Sequence, residues 1–322
     1  MVPVVVLTGF LGAGKTTLLN ALLARRSARG ATGRVALVVN ELGAVGIDGS
    51  LLPADATKQV ELPGGCVCCV LNDDLDRSMI ALVEDNAARG TPLEAIVIET
   101  TGVAEPLPIA WAIEREPLAR VVRLAAVVTL VDATGFVEAR PLSPAVDAQV
   151  EHADVLVLTK REIASDAERA KREATELNPR APWVEGATEE VARWLDELLE
   201  DPPIAEPRDH DHDHDHAGHG IDSVWVEIEG ILDLEELIDA LEELPPSYVR
   251  VKGIARAVDG RTGSGQVHYV AFHRVGLRVS TEPLAWAAPT RAVALGTGVS
   301  AGALRACVER AVLSSTAGRG AD

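Results

Sequence analysis

The sequence predicts an α/β fold, in which a mostly parallel β-sheet carries helices on both faces and is followed by a small α+β domain. In the first 200 residues, short β-branched apolar runs alternate with helix-like stretches. Such runs are typical of parallel strands that are buried on both faces. A stretch rich in proline, aspartate and histidine then precedes a shorter half with strand and helix patterns of its own. We therefore expect two domains joined by a linker.

The predicted elements alternate in the first half and are mixed in the second. First-half strands are predicted at Val4–Leu7, Val35–Asn40, Ala95–Glu99, Val127–Val131 and Val155–Thr159, and helices at Lys15–Arg26 and Asp73–Ala88. Second-half strands are predicted at Ser223–Glu229, Tyr248–Val258, Gln266–Phe272 and Ala292–Gly296, and helices at Leu234–Leu244, behind the cap Asp233, and Ser300–Leu313. These patterns predict a first domain at 1–200, a linker at 201–220 and a second domain at 221–322.

Composition excludes several classes of function. The 322 residues include 49 acidic and 30 basic ones, a formal net charge of −19. A field of that sign repels a phosphate backbone, so we expect no nucleic-acid partner. The first ten residues form an apolar run that is too short for a membrane span and lacks the features of a signal peptide. We therefore expect a cytoplasmic protein without a membrane partner, in which clustered cysteines are metal ligands or redox groups.

The segment from Gly9 to Thr16, GFLGAGKT, fits the phosphate-binding pattern G-x-x-x-x-G-K-[ST] between a predicted strand and a predicted helix. This context favours a nucleotide site over a glycine-rich turn that merely caps a helix. Lys15 is expected to reach the outer phosphates, and the Thr16 hydroxyl to ligate Mg²⁺. The candidate phosphate-binding residues are Gly9, Gly12, Ala13, Gly14, Lys15, Thr16 and Thr17.

A second acidic group is needed behind the metal of such a site, at the end of a neighbouring strand. The stretch IVIETTG supplies Glu99 at a strand end and Gly102 three residues later. We expect Glu99 to order Mg²⁺ or the attacking water, and Gly102 to sense the last phosphate. Lys15 and Glu99 are therefore the candidate catalytic residues.

Base recognition is predicted after the strand that ends near Thr159. The tetrapeptide Thr159-Lys160-Arg161-Glu162 stands where GTPases of this type have N-K-x-D. A carboxylate at the last position accepts hydrogen bonds from guanine N–H groups, and Lys160 can cover the base. Glu162 is one methylene longer than the expected aspartate, which leaves ATP as an alternative behind GTP.

These motifs occur in one order with three further stretches: NELGAVGID at 40–48, ELPGGCVCCVL at 61–71 and VVTLVDA at 127–133. The series closely resembles the CobW-type P-loop GTPases, metallochaperones that carry a CxCC motif between their two nucleotide motifs. The resemblance implies slow GTP hydrolysis coupled to transfer of a transition metal, most often Zn²⁺, to a client metalloprotein. It also implies GTP, Mg²⁺ and Zn²⁺ as ligands, while a homodimer stays an open alternative.

The resemblance also implies roles for residues outside the nucleotide motifs. Cys66, Cys68 and Cys69, together with Glu41, become candidate zinc ligands, and Asp48 becomes a candidate Mg²⁺ contact. The chain departs from the family pattern at Ala44, where the family has glutamate, and at Gly64, where it has asparagine.

The three clustered cysteines favour a metal over other chemistry. Three thiolates form a soft site that suits Zn²⁺ or Cu(I). Because neighbouring side chains of a rigid strand point to opposite faces, a loop would be needed to bring all three to one metal, or else two cysteines bind and a carboxylate or water completes the shell. An incomplete shell is typical of an exchangeable site rather than a structural one. A redox couple is the less favoured alternative, and Cys307, in an apolar helical context, is expected to be a packing residue.

The linker contains five histidines, of which four alternate with aspartates and the fifth follows three residues later. They are expected to be a solvated acidic run, and as a flexible chelator they are candidates for weak binding of Zn²⁺, Ni²⁺ or Co²⁺. These residues are His210, His212, His214, His216 and His219. Two alternative functions stay open: a P-loop ATPase or kinase that acts on a small molecule, and a zinc store with a vestigial nucleotide site.

Overall fold

A computed structural model describes residues 1–30, 34–40, 60–62, 66–71, 75–199, 222–260, 265–284, 287, 289–296 and 298–313. For residues 39–40, 60–62, 66–71 and 222 it describes the backbone alone. The chain divides into two compact units, Met1–Pro202 and Pro203–Asp322. The predicted linker at 201–220 lies outside the described residues, so the division into domains at 1–200 and 221–322 with a linker between them stays a prediction.

The first unit alternates strands and helices. Its strands are β1 (Val2–Gly9), β2 (Arg34–Asn40), β3 (Val60–Leu62), β4 (Cys66–Leu71), β5 (Leu93–Thr100), β6 (Val122–Asp132), β7 (Val155–Thr159) and β8 (Trp183–Val184). Its helices are α1 (Lys15–Ala28), α2 (Leu75–Ala88), α3 (Leu107–Ile113), α4 (Phe136–Ala139), α5 (Pro144–Glu151), α6 (Ala167–Leu177) and α7 (Thr188–Leu199).

The strands of this unit form one sheet in the order β3-β4-β2-β5-β1-β6-β7-β8. Every neighbouring pair is parallel except β3 and β4, which are antiparallel. Parallel pairing aligns the carboxyl ends of the strands, and ligands of open α/β sheets bind at that edge. The predicted mostly parallel α/β sheet is confirmed.

Burial explains why the first-half strands are almost continuously apolar. On β1, the consecutive side chains from Val4 to Leu7 are at most 1% exposed, so both faces of this strand are covered. Val4 and Val6 belong to a core cluster that includes Met79 of α2 and Ile109 of α3. Helix α1 contacts β1, and α7 contacts both α1 and β5. The sheet therefore carries helices on both faces.

Helix starts in this unit follow local capping chemistry. Ser143 precedes Pro144 of α5, and its hydroxyl accepts a hydrogen bond from the Ala145 N–H at 3.3 Å. The Asp166 carboxylate accepts from the Arg169 N–H at 3.0 Å at the start of α6. Both residue types are favoured at this position because they satisfy backbone donors of the first helical turn.

The second unit is an antiparallel sheet packed against two helices. Its elements are β9 (Asp222–Ile228), β10 (Leu232–Asp233), α8 (Leu234–Glu242), β11 (Tyr248–Val258), β12 (Val267–Val275), β13 (Arg278–Leu284), β14 (Thr290–Gly296) and α9 (Ala301–Arg310). The strand order is β13-β12-β11-β14-β9, and β10 pairs with β11. Leu237 of α8, Leu304 of α9 and Phe272 of β12 meet in one core cluster. The predicted small α+β domain is confirmed.

Two smaller predictions about this unit are also confirmed. The Asp233 carboxylate accepts hydrogen bonds from the N–H groups of Glu235 and Glu236, which makes it the cap of α8. Cys307 packs against the core, and its thiol donates to the Ala240 carbonyl oxygen at 3.2 Å. Burial raises the pKa of this thiol to about 11. Cys307 is therefore a packing residue rather than a reactive thiolate.

Of the strands in the described residues, five were not predicted from the sequence: β3, β4, β8, β10 and β13. Two of them, β8 and β10, contain only two residues each. The polar sequence RVSTEPL of β13 includes Pro283 and pairs with β12 alone, so the proline is tolerated at a sheet edge. Strands β3 and β4 lie in the stretch that was interpreted as a metal-binding loop.

None of the helices in the described part of the chain combines the length and apolarity needed to cross a membrane.

A buried ion cluster joins α1 to α7. Asp196 of α7 is 1% exposed and accepts hydrogen bonds from three arginines of α1 or its end. The distances are 2.7 Å from Arg26 Nη1, 3.2 Å from Arg25 Nε and 2.8 Å from Arg29 Nη2. Because α1 begins at the phosphate-binding sequence, this cluster fixes the helix on which that sequence is mounted.

We predict that Asp196→Asn lowers the free energy of unfolding of the first unit by about 3 kcal/mol, because it leaves buried guanidinium charge without its carboxylate. Glu94→Gln is the matched control, since Glu94 is 49% exposed and lies 3.9 Å from Arg26. This control is expected to cost less than about 1 kcal/mol. Urea unfolding followed by circular dichroism measures both variants, and equal losses would contradict a special role for Asp196.

Candidate functional site

The glycine-rich segment between β1 and α1 forms a loop that ends at the start of a helix. Gly12 and Gly14 have φ of 77° and 96°, in the left-handed region that favours glycine. The Ala13 N–H donates to the Phe10 carbonyl oxygen at 3.0 Å, which closes the turn. The N–H groups of the first turn of a helix have no partner within that helix, so this loop and helix start have the geometry of an anion site. All seven candidate phosphate-binding residues, from Gly9 to Thr17, fall here.

Lys15 is folded over this loop. Its side chain is buried, and Nζ donates to the Gly9 carbonyl oxygen at 2.7 Å and to the Phe10 carbonyl oxygen at 3.4 Å. The ammonium group therefore lies above the loop mouth, within reach of an anion bound there.

Glu99 meets Thr16 beside the loop. β5 pairs with β1 with Leu7 opposite Glu99, and the Thr16 hydroxyl donates to Glu99 Oε1 at 3.0 Å. Next to this pair, the buried Thr100 hydroxyl donates to the Thr8 hydroxyl at 2.8 Å. The structure thus brings together two of the three predicted Mg²⁺ contacts, Thr16 and Glu99, which are 83 residues apart in sequence.

Gly102 lies directly against the phosphate loop. A Cβ at this position would lie 2.6 Å from the Leu11 backbone nitrogen and 2.7 Å from Leu11 Cδ2. Any larger residue would push the two segments apart. The segment 101–104 is also closed on itself, because the Ala104 N–H donates to the Thr101 carbonyl oxygen at 3.0 Å.

The Thr159–Glu162 segment lies on the other side of the loop. The Thr159 hydroxyl donates to the Ala13 carbonyl oxygen at 2.9 Å, which ties the end of β7 to the phosphate loop. A cavity of about 850 Å³ opens between these two segments. Its lining includes Ala13, Gly14, Thr17, Thr159, Lys160, Glu162, Gly186, Ala187 and Thr188. Three of the predicted phosphate-binding residues and the predicted base-binding residues therefore line one cavity.

Lys160 makes a close ion pair with a residue that the sequence analysis did not single out. Its Nζ donates to Asp132 Oδ2 at 2.6 Å, at the end of β6. Burial raises the pKa of Asp132, but the hydrogen bonds from Lys160 and Thr134 outweigh it and leave this pKa below its ordinary value. Lys160 itself has a φ of 56°, so the backbone turns sharply at this point.

A second cluster braces the far wall of the cavity. Glu185, next to Gly186, accepts from Arg161 Nη1 at 2.7 Å and from the ammonium group of Lys171. These contacts hold the 185–188 segment beside the Thr159–Glu162 segment.

Four contributions to the site were missed from the sequence: Asp132, Gln149, Glu185 and the segment 186–188. Asp132 ends the apolar run VVTLVD, and a carboxylate at a strand end was a usable signal. The segment 186–188 follows a strand of only two residues, too short to be recognised. Gln149 belongs to no motif.

The predicted metal ligands are described only in part. Glu41, Asp48 and the linker histidines His210, His212, His214, His216 and His219 lie outside the described residues, and so do the side chains of Cys66, Cys68 and Cys69. Among the side chains that are described, no group of three or more His, Cys, Asp or Glu residues is arranged to hold a metal ion.

The backbone of the CxCC stretch is a strand rather than the loop envisaged from the sequence. β4 begins at Cys66 and pairs with β2, with Val35 opposite Cys66 and Val38 opposite Cys69. Positions two apart in a strand belong to the same face. Positions 66 and 68 therefore share one face of β4, and position 69 belongs to the other.

Comparison with known proteins shows the family of the chain. The model of the CobW/HypB/UreG nucleotide-binding domain matches residues 3–185. The chain belongs to this family. The model of the cobalamin synthesis protein CobW C-terminal domain matches residues 221–312, so a CobW-type C-terminal domain follows the nucleotide-binding domain.

Relatives of this CobW-family chain include proteins named for zinc. The zinc chaperone YjiA of Escherichia coli is 31% identical over 250 residues, which are 76% of this chain and 77% of YjiA. The zinc-regulated GTPase metalloprotein activator 1 of Schizosaccharomyces pombe is 34% identical over 174 residues, or 51% of this chain and 40% of that protein. The solved structure of Zn(II)-bound YjiA GTPase aligns with a TM-score of 0.48 at 26% identity, covering 96% of this chain and 98% of that one.

We predict that Asp132→Asn reduces stability at neutral pH by about 1 kcal/mol, a value discounted because Lys160 is partly exposed. Since the folded-state pKa of Asp132 is lowered, its contribution is present above the ordinary aspartate pKa and is lost as the pH falls through the folded value. The difference in melting temperature between the wild type and Asp132→Asn should therefore shrink below about pH 4. Glu138→Gln, an exposed neighbour on α4, should show no such dependence.

Proposed function

We propose that this CobW-family chain is a GTP-hydrolysing metallochaperone, which binds Zn²⁺ at its CxCC strand and transfers it to a client metalloprotein according to nucleotide state. The observation that carries the proposal is the sheet register. Val38 of β2 pairs with Cys69 of β4 on one side and with Ile98, next to Glu99, on the other. Two strand spacings separate β4 from β5, so the cysteine strand runs about 10 Å from the strand of Glu99.

The geometry of the cavity supports a nucleoside triphosphate as the ligand. The loop 9–16 and the start of α1 form the anion site, and the cavity continues from it toward Lys160 and Glu162. The Glu162 carboxylate accepts N–H donors, a property that favours guanine over adenine. The relative named as a zinc-regulated GTPase also supports GTP.

The residues beside the loop fit Mg²⁺. Thr16 and Glu99 offer a hydroxyl and a carboxylate oxygen within 3.0 Å of each other, a donor set that this cation prefers. When bound, Mg²⁺ neutralises charge that develops on the phosphates. Lys15 adds a second positive charge, and the helix start supplies N–H donors to the phosphate oxygens. Glu99 is the carboxylate available to orient the attacking water, and the hydrogen-bonded pair Thr8 and Thr100 beside it is buried.

Zinc is the cargo in this proposal. Because positions 66 and 68 share a face of β4 and position 69 does not, the proposed site takes its first two ligands from Cys66 and Cys68 and leaves the remaining ligands to Glu41, water or the client. Such an open shell suits exchange. The name of YjiA supports zinc over other metals. The client, a homodimer and a cytoplasmic location stay predictions.

We predict that Cys66→Ser and Cys68→Ser each weaken Zn²⁺ binding at least about tenfold, because each removes a soft thiolate ligand. Cys69→Ser is expected to weaken binding less if its position on the opposite face holds in the complex. Competition with a chromophoric zinc chelator measures the affinity. Cys307→Ser is the matched control, since this thiol packs in the second unit and should not affect zinc. GTP binding that collapsed in the cysteine variants while zinc binding survived would contradict the proposal.

We also predict that Zn²⁺ affinity differs by at least about fivefold between the GTP-analogue, GDP and nucleotide-free states. Thr16→Val removes a hydroxyl next to Glu99 and is expected to abolish this dependence while zinc binding itself is retained.

Competition between GTP and ATP for the cavity tests the base preference. Equal zinc affinity in all three states would contradict a chaperone switch and favour a zinc store, and preference for ATP would favour a kinase or ATPase.

A further inference from the structure

Gln149 connects helix α5 to the segment that contains Gly102. Its side chain is 1% exposed, and Nε2 donates to the Gly102 carbonyl oxygen at 3.1 Å and to the Ala104 carbonyl oxygen at 3.0 Å. The one amide group thus holds two carbonyl groups of a segment 45 to 47 residues away in sequence. A buried amide with two such partners is costly to displace.

The opposite side of the same segment faces the phosphate loop. Gly102 leaves no space for a Cβ, which would lie 2.6 Å from the Leu11 nitrogen. The segment 101–104 is therefore held between Leu11 on one side and Gln149 on the other. The amide supplies hydrogen bonds on one side of the segment, and Leu11, which is 63% exposed, packs against the other side.

The main chain of Gln149 makes a separate contact with the sheet, which does not involve the side-chain amide. The buried Thr129 hydroxyl of β6 donates to the Gln149 backbone carbonyl oxygen at 2.7 Å. Beside the side chain lies a cavity of about 190 Å³, with Leu11, Val146 and Gln149 in its lining. This cavity gives the side chains around Gln149 room to rearrange when the amide contact is lost, so on this side of the segment the amide, rather than close packing, opposes movement of Gly102 away from Leu11.

We propose that Gln149 is a positioning residue that holds Gly102 against the phosphate loop and thereby sets the preference of the site for a triphosphate over a diphosphate. The inference rests on the proposed nucleotide function and names a residue that controls it. A segment beside the loop mouth can contact the last phosphate of a triphosphate but has no such partner in a diphosphate. Holding the 101–104 segment in place therefore stabilises the triphosphate complex more than the diphosphate complex. Such a difference in binding free energy is what a preference between the two ligands requires.

The test compares Gln149→Met with Thr129→Val. Methionine keeps the length and burial of the side chain but removes both hydrogen bonds to the 101–104 segment. Thr129→Val removes the buried hydrogen bond from the Thr129 hydroxyl to the Gln149 backbone carbonyl oxygen but leaves both contacts of the side-chain amide intact. It is therefore the control for a loss of stability that does not involve the amide. Fluorescence titration with a non-hydrolysable GTP analogue and with GDP, at saturating Mg²⁺, gives the affinity ratio for each variant, and thermal unfolding gives its stability.

The expected result is a loss of about tenfold in affinity for the GTP analogue in Gln149→Met, with GDP affinity within about twofold of the wild type. Thr129→Val should lose comparable thermal stability and keep the wild-type ratio. Hydrogen exchange should accelerate at residues 101–104 in Gln149→Met alone. If that variant does not fold, Gln149→Asn, whose amide is too short to reach both carbonyls, replaces it with the same expectation.

An unchanged affinity ratio in Gln149→Met, or an equal change in Thr129→Val, would overturn the positioning role while the nucleotide function stood. Failure of the wild-type chain to bind either nucleotide would instead overturn the proposed function, and the positioning role with it. The two failures are therefore distinguishable in the same titrations.

Discussion

The parallel register of the first sheet is the constraint on which the site depends. Gly9, Glu99, Asp132 and Thr159 lie at or near the carboxyl ends of β1, β5, β6 and β7. The register sets Leu7 opposite Glu99, Gly9 opposite Leu130, and Asp132 opposite Thr159. A slip of one residue in any of these pairs would move every side chain of that strand to the other face. Burial of both faces prevents such a slip, so the packing of the valine-rich strands also positions the chemical groups.

Electrostatics decides how an acidic chain can hold a polyphosphate. The net charge is −19, and the charge of Lys160 is balanced by Asp132 at 2.6 Å. Attraction must therefore come from groups that act over short range: the N–H groups at the start of α1, the Lys15 ammonium group and a divalent cation beside Thr16 and Glu99. The ion pair at Lys160 has a positional role in this arrangement, because it fixes a lysine whose backbone turns at a φ of 56°.

The sequence predicted the parts of the site that are encoded locally. The glycine-rich loop, Glu99 at its strand end and the Thr159–Glu162 segment each have a short pattern whose physical cause is local, and the structure brings them together. Gln149 and Asp132 act through partners 28 to 47 residues away, and no local pattern around either residue predicts which partner it meets. β4 was missed because its cysteines and flanking glycines were interpreted as a loop, although Val67, Val70 and Leu71 are residues that favour strands. Pairing with β2, which comes from outside the stretch, decided its structure.

The same register limits how nucleotide state can reach the cysteines. β4, β2 and β5 are joined by continuous parallel pairing from Val35 to Asn40, and a shift of one residue would move every side chain of the shifted strand to the other face. The strands therefore cannot transmit a graded displacement. Asn40 is paired with both Leu71 and Thr100, so strands β2, β4 and β5 end at the same level of the sheet. The proposed coupling consequently requires the segments that follow these exits, of which the one after Thr100 is held by Gln149. Of the two cysteine positions that share a face, position 68 lies three residues before the end of β4 and position 66 lies five before it, so the coupling should act first on Cys68.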